Sequence, residues 1–273
     1  MNKKAFICLG IDNIGNNFCN VGLVRYLSTK YEIIYLAVSE KYYLSVKEFY
    51  PDLKNKIIYI VFNDSKIIKD EYSKNKMENY ISNSDLYIDF IYKKKIIKKK
   101  DRIIPFITYT YLNLNPSIFW EYFYVPDTDE SNKLFELIDN IKYAFIHSTY
   151  SQGQVFKINE IEKYLNISKD NTLIIDPNIN HYNKKHKYYE LANKFIYKNT
   201  ILTYKKTIIN ADKLFLTDSS FFCLASQLNL KCKEPLLIFR YNNDLHYKRN
   251  IDWLNHKYLK KGLIRPKFKV IRK

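Results

Sequence analysis

The sequence predicts an α/β protein of two doubly wound lobes, each a parallel sheet with helices on its faces. Two observations predict it. Short apolar runs alternate with segments of helical periodicity, the pattern of a parallel sheet with crossover helices. That alternation breaks between residues 105 and 140 and restarts at Tyr143, which separates two lobes.

In the first lobe, Ala5 to Leu9 is an apolar strand ending in the polar loop GIDNIGNN. Phe18, Val21, Val24 and Leu27 then recur at near-helical spacing. Tyr31 to Val38 is the second strand, and Tyr42 to Phe49 a short helix stopped before Pro51. Ile57 to Phe62 (IIYIVF) is the third strand, Ser65 to Ile81 a charged helix, and Leu86 to Tyr92 the fourth strand.

Aromatic residues crowd the stretch 105–140, which shows no clean period until Leu134, Leu137, Ile138 and Ile141 mark one helix face. Tyr143 to His147 (YAFIH) opens the second lobe, followed by the loop STYSQGQ and a helix with Ile158, Ile161 and Leu165 on one face. Thr172 to Ile175 is a strand ending at Asp176-Pro177-Asn178, and helical patterns cover 188–196 and 204–211. Lys213 to Thr217 (KLFLT) leads into Asp218-Ser219-Ser220 and a helix carrying Phe221, Leu224, Ala225 and Leu228 on one face. Leu236 to Arg240 is the last clear strand. These limits predict lobes at 1–130 and 131–245, with a basic segment, 246–273, packing back across them.

Composition narrows the function classes. A hydrophobic share of 47% supports a real core and argues against disorder. The net charge of +17 invites a polyanion. The lysines are nevertheless dispersed, apart from Lys93 to Arg102, and arginine, the usual reader of base edges, is scarce. That run, KKKIIKKKDR, has no sustained amphipathic face and reads as a solvated edge or loop; nucleic acid is not the expected partner. Cys8, Cys19, Cys223 and Cys232 show no metal or redox spacing and are expected to be reduced, partly buried thiols. His181 and His186 lie in a polar, lysine-rich stretch and read as solvated loop residues. No run is long and apolar enough for a bilayer span, and the apolar part after Lys3-Lys4 is too short for a signal peptide, so an intracellular protein is expected.

The clearest candidate site is TDSSF, 217–221. A strand delivers Asp218, Ser219 and Ser220 to a helix start, where free N–H groups and a positive dipole suit a diphosphate. The same residues also suit an ordinary helix cap. Asp127-x-Asp129 has the spacing of a metal-binding carboxylate pair, but acidic residues ahead of the Leu134 helix are the expected partners of its dipole.

The stretch Ile208 to Leu228, IINADKLFLTDSSFFCLASQL, resembles the AxxVxxxDSxxxHLA pattern of GT-B glycosyltransferases such as the heptosyltransferases. Closer still is a group of glycosyltransferase-like proteins from bacteria and large DNA viruses. Its HDDPSRG strand end is matched by His147-Ser148-Thr149-Tyr150-Ser151-Gln152-Gly153, and its LGDHIICNGLVRYL segment without gaps by Ile14 to Leu27. Its RDxxxE is matched loosely by Pro126 to Ser131. The similarity runs in order through most of residues 9–230. It implies two Rossmann-like lobes facing a central cleft and a metal-independent transferase without a cofactor. A nucleotide-sugar donor would be bound by His147, Ser148, Thr149, Gln152, Asp218, Ser219 and Ser220, and a glycan or small molecule would be the acceptor. It also implies a cytoplasmic location, the host cytoplasm for a viral member.

The departures bear on catalysis. The group's Asp after the first-loop Gly is Asn16 here, its two Asp after the His are Ser148 and Thr149, and its loop Arg is Gln152. An inverting transferase needs a group to take the acceptor proton. Asn16 cannot do so, and Asp12, four residues earlier, is the nearest substitute. A catalytically degenerate binding protein is the alternative that these changes suggest.

Overall fold

A computed structural model describes residues 3–9, 13–63, 71–89, 108–109, 112–149, 155–196, 198, 200–238 and 268–271. The run 93–102, Asp12 and Gln152 lie outside the described residues. The chain divides into two compact units, Met1–Pro126 and Asp127–Lys273.

The first unit holds strands β1 (Lys4–Cys8), β2 (Ile33–Ser39), β3 (Ile57–Phe62) and β4 (Leu86–Asp89), with helices α1 (Ile14–Ser28), α2 (Glu40–Lys47), α3 (Glu71–Ser82) and α4 (Ile118–Glu121). Its sheet has the order β3-β2-β1-β4, parallel throughout. β1 is central, and Ala5 to Cys8 are buried on both faces, which explains its unbroken apolar run. Phe6 and Cys8 share one cluster with Ala37, Ile60, Phe62 and Met77 of α3.

Helix α1 begins where Asn13 accepts the Gly15 N–H at 2.7 Å, an ordinary side-chain cap. Within its GLVRYL segment two residues have structural tasks. A Cβ on Gly22 would stand 2.5 Å from the Ile118 carbonyl oxygen and 2.9 Å from that of Phe119, so glycine is what lets α1 and α4 approach. Arg25 donates to the Tyr124 carbonyl at 2.7 Å, to the Phe49 carbonyl at 2.9 Å and through two nitrogens to Asp52, both at 2.8 Å. This forked pairing holds the Asp52 carboxyl below its usual range and ties three segments of the unit together.

The second unit holds β5 (Tyr143–His147), β6 (Leu173–Ile175), β7 (Lys213–Thr217), β8 (Leu236–Ile238) and β9 (Lys269–Ile271). Its described helices are α5 (Asp129–Glu136), α6 (Ile158–Leu165), α7 (Tyr189–Asn193), α8 (Lys205–Asn210) and α9 (Ser220–Ala225). The sheet order is β6-β5-β7-β8-β9, again parallel. In strand sequence within the unit this is 2-1-3-4-5, so chain direction across the sheet reverses between β5 and β7. Both strands are central, and β5 is buried along its whole length.

One expectation needs correction. The Leu134 face is shorter than its period suggests: α5 stops at Glu136, a turn follows in which the Ile138 N–H bonds the Phe135 carbonyl, and Leu137 is left 40% exposed. In the C-terminal segment, the described residues Phe268 to Ile271 extend the second sheet through β9. The acidic pair ahead of α5 is divided: Asp127 pairs with Lys205 at 2.7 Å, while Asp129 opens the helix behind its Thr128 cap.

Part of the tyrosine content serves the backbone. The hydroxyls of Tyr109, Tyr143, Tyr182 and Tyr204 donate to the carbonyls of Cys19, Thr207, Thr172 and Phe195. Each buries a large apolar ring and satisfies a main-chain acceptor. Tyr182 does more, since its hydroxyl also accepts the Ile174 N–H at 2.6 Å. It thereby closes the outer edge of β6, where no described strand pairs. Burial pushes the Tyr204 phenol up to about 12 and raises those of Tyr143 and Tyr182 as well.

Candidate functional site

The polar residues of the second unit gather at the carboxyl ends of β5, β6 and β7. In parallel sheets the connections leaving those ends form the ligand crevice, at the point where strand order reverses. Here that point lies between β5, which ends at His147, and β7, which ends at Thr217.

His147 and Thr217 are joined directly. His147 Nδ1 lies 2.9 Å from Thr217 Oγ1, and that hydroxyl donates to the Thr149 carbonyl at 3.0 Å. The imidazole lies against the Phe221 ring, with centroids 4.7 Å apart, and Phe221 packs in turn on Phe145 and Tyr204. His147 is 8% exposed; burial lowers its pKa to about 4, opposed by the charge of Asp176, so the ring is neutral at pH 7.

The next residue, just beyond β5, bonds a different partner. Ser148 Oγ donates to Asp176 Oδ2 at 2.5 Å, and its N–H reaches the same oxygen at 3.4 Å. His181 Nε2 lies 3.1 Å from that oxygen, and the Asn178 N–H bonds the other carboxylate oxygen at 2.9 Å. The Asn178 bond closes an Asx turn after β6, which returns the chain so that His181 meets Asp176. Asp176 is 2% exposed and the His181 side chain 7%. This is a buried clamp between the ends of β5 and β6. It does not have the arrangement of a nucleophilic triad, because the carboxylate stands between the serine and the histidine.

The expectation that His181 and His186 are solvated is therefore overturned. His186 stacks on Tyr182 at 4.4 Å, with its side chain 17% exposed. Sequence reading had reason to notice Asp176, an acidic residue ending an apolar strand before Pro177-Asn178, but no pattern tied it to Ser148, 28 positions away. Thr217 was visible as the first residue of TDSSF, but nothing in the sequence tied it to His147, 70 positions away.

The remaining predicted residues divide between the units. Thr149 pairs with Val155 in an isolated antiparallel bridge, and its buried hydroxyl has no hydrogen-bond partner among the described residues. Asp218 follows β7, and its N–H bonds the Ile238 carbonyl at 3.1 Å. Ser219 has extended backbone at the α9 start, yet its buried hydroxyl makes no cap bond and likewise has no partner among the described residues. Ser220 is the first residue of α9, a helix of only six residues. The reading of Ser219 as an ordinary side-chain cap is thus not what the structure contains. Asn16 belongs to the first unit, in the first turn of α1, where its carbonyl accepts from Asn20 Nδ2 at 2.7 Å. Cys8, Cys19 and Cys232 are buried and Cys223 is half-buried, each as a reduced thiol. Among the described residues no helix is long and apolar enough to cross a membrane.

No protein-family model matches the sequence, and no curated protein matches it. Among solved structures, the crystal structure of the glycosyl transferase family 9 from Veillonella parvula is similar over 99% of this chain and 86% of that one, with a TM-score of 0.54 and 9% sequence identity. At that identity the likeness is one of fold: this chain has a GT-B glycosyltransferase-like architecture of two parallel α/β units.

Proposed function

We propose that this chain is a glycosyltransferase-like protein that binds a nucleotide sugar at the carboxyl ends of β5 and β7. The observation that carries the reading is the pair of partnerless buried hydroxyls, Thr149 and Ser219, from the two strand ends that flank the reversal of strand order. Buried polar groups left unpaired cost about 1–3 kcal/mol each, so a site that keeps two of them is suited to a polar ligand. His147, Gln152, Asp218 and Ser220 complete the donor-binding set of this reading, whereas Ser148, expected there too, is buried and committed to Asp176.

In the transfer reaction a hydroxyl of a glycan or small-molecule acceptor attacks the anomeric carbon. The bond from that carbon to the diphosphate breaks, the nucleoside diphosphate departs, and a base takes the hydroxyl proton. The base of this reading is Asp12, since Asn16 has no basic side chain. Hydrogen-bond donors and dipoles, rather than a metal, hold the diphosphate.

A second reading, a binding protein without turnover, has its own support. Asn16 stands where the resembling group has a carboxylate, and Asp176 cannot act in its place because both its oxygens are already bonded in a buried clamp. One experiment separates the readings. Calorimetric screening with UDP-, GDP- and CMP-sugars tests binding, and release of the free nucleotide (UDP, GDP or CMP) tests turnover. Binding with turnover supports the transferase. Binding alone supports the degenerate protein, for which Asn16→Asp is the variant to assay for restored transfer. If no nucleotide sugar binds, both readings fail.

A further inference from the structure

We infer that His147 is a specificity-determining residue that presents a fixed hydrogen-bond acceptor, selecting ligand hydroxyl or amino groups and disfavouring bare oxyanions. The inference rests on the donor-site reading above and deepens it, because it separates the part of a nucleotide or sugar that meets His147 from the part that carries phosphate.

The argument is a count of hydrogens. Thr217 has one hydroxyl hydrogen, and the Thr149 carbonyl, which can only accept, lies 3.0 Å from Thr217 Oγ1. That hydrogen is committed to the carbonyl. The contact of 2.9 Å between His147 Nδ1 and Thr217 Oγ1 must then be made by a hydrogen on Nδ1. A neutral imidazole carrying its hydrogen on Nδ1 has only a lone pair on Nε2. Among the described residues nothing hydrogen-bonds Nε2, and that nitrogen is absent from the fully buried, partnerless polar atoms.

The surroundings keep the ring neutral and fixed. Its face packs on Phe221, and burial opposes the imidazolium. A ring held in this way cannot pair with a phosphate oxygen through Nε2, because two lone pairs would face each other. A ribose or sugar hydroxyl, or an exocyclic amine of a base, supplies the missing hydrogen. Phosphate binding in this site accordingly falls to other groups, and His147 reads the uncharged portion of the ligand.

The test begins on the unmodified protein. With ¹⁵N-histidine labelling, two-bond nitrogen–proton correlations report the tautomer of each ring, and the signals missing from His147→Gln assign this one. The expected result is an Nδ1–H tautomer at pH 7. Saturation with UDP, GDP or ADP, whichever binds by calorimetry, should shift the Nε2 resonance, and inorganic pyrophosphate should leave it unmoved. Thr217→Val removes the acceptor for Nδ1–H, so it should release the ring toward the Nε2–H form and weaken that nucleotide on the order of tenfold, with little change for pyrophosphate. An Nε2–H tautomer or an imidazolium in the unmodified protein overturns the inference. So does a nucleotide that binds by calorimetry without moving Nε2, an outcome that leaves the donor-site reading intact. If no nucleotide binds, the donor-site reading fails on the calorimetry alone, and the contact inferred from it falls too.

Discussion

His147 and Ser148 are neighbours at the end of β5, yet their surroundings are built to opposite rules. On the Ser148 side the Asp176 carboxylate is saturated: it takes Ser148, His181 and Asn178 and is itself buried. On the His147 side a relay ends in open capacity, with Nε2 and the hydroxyls of Thr149 and Ser219 unpartnered among the described residues. A saturated buried network contributes stability and rigidity, whereas an unsaturated one costs stability and has a use only if something else completes it. The two are consecutive residues, so the clamp holds steady the strand end from which the open side projects.

The largest expected effect lies on the saturated side. Asp176→Ala strands Ser148 Oγ, His181 Nε2 and the Asn178 N–H, and should destabilise the protein by about 3 kcal/mol or more in denaturant unfolding. A loss below about 1 kcal/mol means that the clamp does not hold the strand ends, and the comparison breaks on that side.

A second effect, of about 3 kcal/mol at most, concerns His147 and pH. Its folded pKa, about 4, lies below the ordinary 6.5. Between those values the unfolded chain binds a proton that the folded chain refuses. The stability contributed is complete above pH 6.5, is lost as pH falls toward 4, and changes no further below that. His147→Gln should flatten this part of the stability–pH curve. A variant with the same slope as the unmodified protein places the titration elsewhere.

The smallest effect on stability is the sharpest on function. Ser219→Ala removes a hydroxyl that satisfies nothing, so unfolding should move by less than about 0.5 kcal/mol. Affinity for the best nucleotide sugar should nevertheless fall several-fold. Unchanged affinity would show that the orphan hydroxyl faces no ligand, and the two sides of β5 would then differ in packing alone.

Much of the fold was legible because periodicity and burial act locally. IIYIVF, YAFIH and KLFLT became β3, β5 and β7 with the limits their apolar runs suggest; for the interior strands β5 and β7, burial on both faces gives no reason to interrupt the hydrophobic run, and the edge strand β3 keeps its run although Ile58 is exposed. The pattern misled where a helix ended early, at Glu136, because a period cannot tell a helical turn from the turn that follows it. Of the candidate site, Asp218, Ser219 and Ser220 were named from their place between a strand and a helix, and His147, Ser148 and Thr149 from the family resemblance. Asp176 and His181 were not recognised as partners, and His181 was misread because a polar, lysine-rich neighbourhood looks solvated in sequence.

By itself, then, the amino-acid order determined the strands, most of the helices and the set of polar residues following strands, through local preferences that need no knowledge of neighbours in space. It also determined that Gly22 and Arg25 stand one helical turn apart on α1, without saying why. Only the tertiary structure decided that Gly22 admits α4 and that Arg25 grips Asp52 and Tyr124. It alone decided which of two adjacent residues, His147 or Ser148, belongs to an open site. Hydrogen bonds between residues 28 to 70 positions apart set that difference, and they exist only once β6 and β7 have taken their places on either side of β5.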